Sequence, residues 1–443
     1  MNYHNRQGAM QGLAFASQLA PAIIGVVSFM ILVRVTNPDL LGQYLILSAA
    51  VVLFEMIKSG GLQSALVMRL SGSTPLHQKQ TIGSAYWLGG IISGLLSLFL
   101  GIAFLSNLFK YQPGIHLFCG WYACLGIITL PLHIAEAQAV ADQKLSFLLT
   151  LRIAQSLSSL LIATFAFFIG GSLLVFATVH LTYTALLMLI VVFSGKTNPL
   201  YIRFKVMNEV KKLFNLIKYT LATLATTNLL KSADTFLIGS FLGTRAVAMY
   251  AVPLKLTELF EIPLRSLSTT AFPQLAKSNN NSHTNTFKQL YIQYLSWAYL
   301  LYIPGIIIAF FLAPFLITTI GGDTYLSTVT VFRIFLLYGI LLPADRLSGI
   351  GLDALQKPQK NLLKVVCMAV INIIGDVLAL QLTGQLEWVA FASVLNVLTG
   401  IIVGNYFIKS TGIFNSTPIY ASSLVYSKSF IKDQVKKLRL KTS

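Results

Sequence analysis

NLLKSADTFLIGSFLGTRAVAMYAVPLKLTELFEIPLRSLSTTAFPQLAK, residues Asn228–Lys277, decides how this chain is read. Two long apolar runs meet at a short turn, Gly239 to Thr244. Charges sit inside both runs: Lys231 and Asp234 in the first, Lys255, Glu258, Glu261 and Arg265 in the second. An ionised side chain near the centre of a bilayer costs roughly 2.5–3.5 kcal/mol on insertion scales. A chain that carries several must pair them or shelter them in a wet interior. The stretch reads as two cavity-lining membrane helices.

The rest of the chain agrees with that environment. Of its 443 residues 55% are hydrophobic and 10% charged, with a mean hydropathy of +0.73. Soluble domains carry about 25% charged residues. The deficit runs along the whole length, which marks an all-α polytopic membrane protein. A spanning helix needs about 20 apolar residues. That measure gives about twelve spans, at approximately 11–35, 40–66, 81–106, 114–140, 148–170 and 172–194, then 213–240, 246–272, 288–320, 328–352, 361–383 and 387–409.

The net charge of +18 would suggest nucleic acid in a soluble protein. In a membrane protein it is topological, because basic residues gather in cytoplasmic loops. One set of alternate loops holds Arg69, Lys79, Lys144, Lys196, Arg203, Lys205, Lys211, Lys212, Lys277, Lys357 and Lys360, and the opposite set only Arg34, Lys110 and Arg245. Both termini are therefore expected in the cytoplasm, with no nucleic-acid partner. No cleavable signal is expected, since the small residues Ala14-Phe15-Ala16 precede most of the first apolar run.

The longest polar interruption, Ser194 to Lys212, divides the chain into lobes of six helices, 1–200 and 201–409, followed by a basic cytoplasmic tail, 410–443. The halves match weakly at an offset of 206, with Leu53-Phe54-Glu55 over Leu259-Phe260-Glu261. Parallel repeats of this kind recur in secondary transporters. From Ser427 to Lys441 the tail alternates basic and apolar residues, which fits either an amphipathic helix on an anionic leaflet or a solvated segment.

Helical projection gathers the intramembrane polar residues into stripes. Thr227, Asn228, Lys231 and Asp234 fall within about 120° of arc, as do Lys255, Glu258, Glu261 and Arg265. Glu55 and Lys58 sit three apart, Asn372 and Asp376 four apart. Lys58, Lys231, Lys255, Arg265, Arg333 and Asn228 are candidates for a cationic substrate cavity. Glu55, Asp234, Glu258, Glu261 and Asp376 are candidates for coupling to protons or another cation. The plainer alternative is that these groups form ion pairs holding helices together. Arg152, near a span end, is expected to snorkel to the interface, while Arg333 and Arg346 suit an anionic head group.

Other features bear on packing. Pro21, Pro131, Pro253, Pro263, Pro304, Pro314 and Pro343 interrupt spans and should kink them. The pairs Gly90/Gly94 and Gly400/Gly404 have the spacing of close helix contacts. Cys119, Cys124 and Cys367 are expected as buried free thiols. The histidines are scattered, no GxxxxGK[ST] loop or HExxH occurs, and no Ser/His/Asp arrangement can be argued. No metal, cofactor or enzymatic activity is expected.

Three stretches carry a family resemblance: RVTNPDLLGQY at Arg34–Tyr44, ADTFLIGSFLGTRAVAMYAVPLKL at Ala233–Leu256 with AFPQLA at Ala271–Ala276, and GLDALQKPQKNLL at Gly351–Leu363. With their order and spacing the chain resembles the oligosaccharide flippases of the polysaccharide transporter family, such as those for O-antigen and capsule units, within the multidrug/oligosaccharidyl-lipid/polysaccharide superfamily. The resemblance implies two six-helix lobes forming a V around a central cavity. It implies a polyprenyl-diphosphate-linked oligosaccharide moved from the cytoplasmic to the outer leaflet of a bacterial inner membrane, with membrane lipids, a coupling cation such as H+ or Na+, and polysaccharide polymerase machinery as partners. Asp234 matches a recurrent acid of the seventh helix and Arg34 a recurrent arginine of the first external turn. The competing readings are a cation-coupled multidrug exporter of the same superfamily, a flippase for lipid II or teichoic units, a membrane-embedded polysaccharide-processing enzyme, and a structural scaffold.

Overall fold

The structure is a computed structural model. It describes the backbone of residues 3–70, 74–280 and 284–414, with side chains except at 3–11, 14–15, 219–220, 222–231, 266, 269, 279–280 and 284. Among the described residues the regular structure is all helical. It divides into two compact units, Met1–Ala248 and Met249–Ser443.

Unit 1 begins with α1 (Tyr3–Val35), which packs along α7 (Leu145–Ile169). The turn from α1 into α2 (Pro38–Glu55) explains the Arg34–Tyr44 motif. Asn37 caps α2 by accepting the Leu40 amide at 2.8 Å, and Pro38 occupies the first turn, where its missing N–H costs nothing. Gly42 lies directly against the Thr244 carbonyl, so a side chain there would collide with backbone.

The span begun by α2 does not stay α-helical. It passes through a π-helical turn, Met56–Gly60, and resumes as α3 (Gly61–Leu70). Next come α4 (Pro75–Leu105), α5 (Pro113–Ile128), α6 (Leu130–Ala141) and, beyond α7, α8 (Leu173–Phe193). A 3-10 turn, Pro199–Phe204, then leads into α9 (Met207–Leu242), which packs against α2, α3 and α4. Packing thus divides the chain at Ala248, whereas the polar interruption divides it near residue 200. The first follows helix faces and the second loop composition.

The helix α10 (Thr244–Asn280) begins in unit 1 and runs into unit 2. Unit 2 continues with α11 (Thr284–Phe311), α12 (Ala313–Gly321), a 3-10 turn at Asp323–Thr328, α13 (Val329–Ala354), α14 (Pro358–Leu382) and α15 (Leu386–Lys409). Helix α13 packs on α11 and α15, and α14 on α15. Ala271 and Leu275 of α10 share a core with Tyr291, Leu295, Leu347 and Ile408 of α11, α13 and α15.

Nine of these helical stretches, among the described residues, are long and apolar enough to cross a membrane. The pair α5 and α6, bent by 42°, makes a tenth if it is one span. The charged helices α9 and α10, where two more spans are expected, are 36 and 37 residues long. The protein is a multi-pass integral membrane protein.

The prolines behave in two ways. Pro131 and Pro314 sit in the first turn of new helices, α6 and α12, so they break the expected spans 114–140 and 288–320. Pro253, Pro263 and Pro273 lie within an uninterrupted α10, and Pro21, Pro304 and Pro343 within α1, α11 and α13.

The two glycine pairs also differ. A Cβ at Gly400 would collide with the Asp345 carboxylate and the Met368 sulfur, and one at Gly404 with Ser348, so this pair brings α15 against α13 and α14. Gly90 and Gly94 meet nothing within 4 Å, which corrects the expectation of a close contact there. Of the cysteines, all free, Cys119 is buried, Cys367 is half-buried and Cys124 is exposed, so the expectation of three buried thiols holds only for the first.

Candidate functional site: a buried ionic cluster at a π-helical turn

The π turn sets the site. Such turns, closed by i→i+5 hydrogen bonds, occur mostly as single insertions in α-helices, frequently at functional sites. Here Glu55 stands just before the turn and Lys58 lies within it, 1% exposed. The Lys58 ammonium reaches Glu55 Oε1 at 2.7 Å and the Gly126 carbonyl at 2.8 Å, and also donates to Thr129 Oγ1. Its three N–H donors therefore all have acceptors, which a buried ammonium requires.

Two of those acceptors, Gly126 and Thr129, come from the bend between α5 and α6. Pro131 stops the α5 pattern, and the bend leaves Gly126 and Thr129 beside the π turn. Glu55 is held from several directions. Tyr122 donates its hydroxyl to Oε1 at 2.9 Å, Thr129 contacts both oxygens at 3.0 and 3.1 Å, and His133 Nε2 lies 2.7 Å from Oε2. The Lys58 side chain is closed to solvent, while Glu55 is 16% and His133 24% exposed. His133 Nδ1 is buried without a hydrogen-bond partner. The cluster thus has a sealed cationic end at Lys58 and a partly exposed end at Glu55 and His133.

Unit 2 holds two polar groups on neighbouring helices. Lys364 on α14 reaches Asp345 Oδ1 on α13 at 2.6 Å and donates to Ser348 Oγ at 3.0 Å. Further along α14, Asp376 is fully buried. It accepts from Asn372 Nδ2 at 2.8 Å, and Asn372 Oδ1 accepts from Asn396 Nδ2 of α15 at 3.1 Å.

The remaining sequence candidates fall as follows. Lys255 pairs with Glu258 at 2.7 Å, Arg265 with Glu261 at 3.3 Å, and Arg346 approaches the same Glu261 at 3.9 Å. Arg333 lies over the Phe310 ring at 4.9 Å, with its Nε buried and lacking a hydrogen-bond partner. Asp234 is buried on α9, and Arg34 is exposed in the last turn of α1. The side chains of Asn228 and Lys231 lie outside the described residues, as does the tail from 415 onward. Arg152 does not snorkel alone, for it pairs with Glu136 at 2.8 Å.

Sequence reasoning missed Tyr122, Thr129 and His133. His133 and Glu136 stand one turn apart on α6, yet each pairs with a different element, Glu55 on α2 and Arg152 on α7. Lys364 was missed because it stands near the end of a span, where lysine needs no explanation.

Comparison with solved structures identifies the fold. A multidrug resistance MATE family transporter of the MOP superfamily, in an inward-facing conformation, superposes with a TM-score of 0.68 at 12% identity, over 92% of this chain and 96% of the other. The lipid II flippase MurJ, in an inward closed conformation, gives 0.69 at 16% identity, over 96% and 92%. A MOP superfamily transporter from Pyrococcus furiosus, whose binding pocket is described as reversed in polarity, gives 0.58 at 12% identity, over 92% and 96%. The fold is therefore that of the MOP superfamily transporters. No curated protein sequence matches the chain. The sequence pattern of the family described as "Polysaccharide biosynthesis protein" matches residues 31–330, and the chain belongs to that family.

Proposed function

We propose that the protein is a flippase for polyprenyl-diphosphate-linked oligosaccharide repeat units. It moves them from the cytoplasmic to the outer leaflet of the bacterial inner membrane for surface polysaccharide assembly. The observation that carries this reading is the family match across residues 31–330 on a transporter fold. The basic loops face the cytoplasm in this reading, and the halves 1–200 and 201–409 work as transporter repeats.

The chain's own chemistry supports transport rather than catalysis. A diphosphate crossing hydrocarbon needs fixed positive charge and polar contacts, and Lys58, Lys231, Lys255, Arg265, Arg333 and Asn228 supply them. The sequence has no phosphate-binding loop for a nucleotide motor, so turnover draws on an ion gradient, a substrate gradient or downstream consumption. Glu55 is the first coupling group. Neutralising Glu55 during turnover removes the negative partner of Lys58 and frees the ammonium for the anionic substrate. The polar groups facing that carboxyl are Lys58, Tyr122, Thr129 and His133. Asp376, with Asn372 and Asn396, offers oxygen donors to a second cation, since hard cations take carboxylate and amide oxygens. Multidrug export fits less well. Glu55, Glu136 and Asp345 are each matched by a basic group, Lys58, Arg152 and Lys364.

The test is made in cells that lack the protein. Lipid-linked repeat units should accumulate where a lectin added to the outer face of the inner membrane cannot reach them. Normal surface display in a strain with no second transporter would sink the reading.

A further inference from the structure

A cavity of about 400 Å³ opens in unit 1 where α4 and α7 begin and α6 and α8 end. That volume lies in the range of small-molecule sites, roughly 300–1,000 Å³. It is separate from the Glu55 cluster, and its charged lining is mostly basic.

Three lysines line it, Lys79, Lys144 and Lys196, against one carboxylate, Asp142. Lys144 already holds Asp142 at 2.8 Å. The Lys79 ammonium lies 5.9 Å over the Tyr201 ring and that of Lys196 lies 5.3 Å over Phe147. Among the described residues neither has a carboxylate partner. Aromatic faces hold such ammonium groups in place through the ring quadrupole, and the N–H donors directed away from the ring stay available.

Two amides add a second kind of recognition. Gln138 lines the cavity and its Oε1 is unpartnered, so a turn of the side chain lets it accept from a hydroxyl group. Asn198 spends its Oδ1 on the Leu200 amide at 3.0 Å, leaving its NH2 to donate. A cation finds only one, already neutralised, carboxylate here. An anion finds two unpaired ammonium groups, and a polyol finds an acceptor and a donor.

We propose that this cavity binds a phosphate ester carrying a hydroxyl-rich group, that is, a sugar phosphate. Its phosphate sits between Lys79 and Lys196 and its hydroxyls face Gln138 and Asn198. The ligand is either the head of a lipid or a free sugar phosphate. As a lipid head it is the substrate at a loading station before translocation, a role that rests on the flippase reading; the binding chemistry does not.

The test uses the full chain in phosphatidylcholine nanodiscs. Glucose 1-phosphate and inorganic phosphate are titrated calorimetrically. Retained lipid is read by native mass spectrometry after addition of a short-chain polyprenyl-diphosphate sugar. The paired variant Lys79→Gln/Lys196→Gln should weaken binding at least tenfold. The control Lys211→Gln/Lys218→Gln removes the same charge from exposed positions outside the cavity and should leave binding unchanged. Gln138→Leu should weaken glucose 1-phosphate binding more than inorganic phosphate binding.

Binding of glucose 1-phosphate identifies a soluble ligand, and retention of the lipid alone identifies a lipid head; both support the site. Binding that survives in Lys79→Gln/Lys196→Gln, or falls equally in the control, overturns it, as does absence of binding to every probe. If Gln138→Leu affects both soluble ligands alike, the sugar part is overturned. A variant that loses binding yet flips at the normal rate overturns the loading role while leaving the flippase reading intact.

Discussion

Lys58 shows what one residue in the wrong solvent demands. Its ammonium is stabilised by Glu55, Gly126 and Thr129 together, and none of these alone would offset its desolvation. Removing one partner of a buried ion pair leaves the other uncompensated, at a cost of about 3–5 kcal/mol, whereas replacing both by neutral groups of similar volume is often tolerated. Lys58→Ala is therefore expected to lower the melting temperature of the purified protein sharply. The double variant Glu55→Gln/Lys58→Met should stay close to wild type in stability while losing transport. If the double variant melts as early as Lys58→Ala, the pair is not what holds this turn. If it transports normally, the cluster has no part in coupling.

At the scale of elements, close helix approach is decided by what stands opposite each glycine. Gly400 and Gly404 face Asp345, Met368 and Ser348, and Gly90 and Gly94 face open space. Overpacking a well-packed contact costs typically about 1–3 kcal/mol. Gly400→Leu should lower the thermal stability of the purified protein by that order, and Gly90→Leu should leave it unchanged within the precision of a melt.

A second element-scale feature is the tie between α3 and α9. Arg69 Nη2 meets Glu209 Oε2 at 2.6 Å, and Lys212 meets Oε1 at 3.0 Å. Burial pushes the Glu209 carboxyl up, but hydrogen bonds and charge from Arg69 and Lys212 outweigh it and hold the pKa below the ordinary 4.5. A depressed carboxyl stabilises the fold above its unfolded value and ceases to do so as pH falls through its folded one. Hydrogen exchange in the first turns of α9 should thus stay slow as pH is lowered to 4.5 and quicken only below it, after correction for the intrinsic rate. Quickening already at pH 5–6 would mean the tie does not control this end.

For the molecule as a whole, the question is how a chain without a nucleotide site does directional work. In the reading proposed above, Asp376 with Asn372 and Asn396 takes up a coupling cation. Asp376→Asn should then leave folding intact, because the amide keeps the size and the contact with Asn372. It should remove the dependence of flipping in proteoliposomes on an imposed Na+ or H+ gradient. A variant that keeps the wild-type gradient dependence rules Asp376 out.

The sequence by itself determined the solvent and most of the framework. Hydropathy is summed over about 20 consecutive residues, so the membrane class, the helical class and the approximate spans are local properties. Caps such as Asn37-Pro38 are equally local. The three motifs resembling flippases pointed to the superfamily fold that the comparisons bear out.

What only the tertiary structure decided is who meets whom. Glu55 and His133 are 78 residues apart in the chain, and Lys58 and Thr129 are 71 apart. No periodicity reports on such pairs, and in an apolar sequence a paired charge and a cavity-lining charge look the same. The π turn at Met56–Gly60, the different surroundings of two identical glycine spacings and the lysine-lined cavity at the ends of four helices have the same origin. Each depends on the face a neighbouring helix presents, which is settled when side chains from distant segments pack.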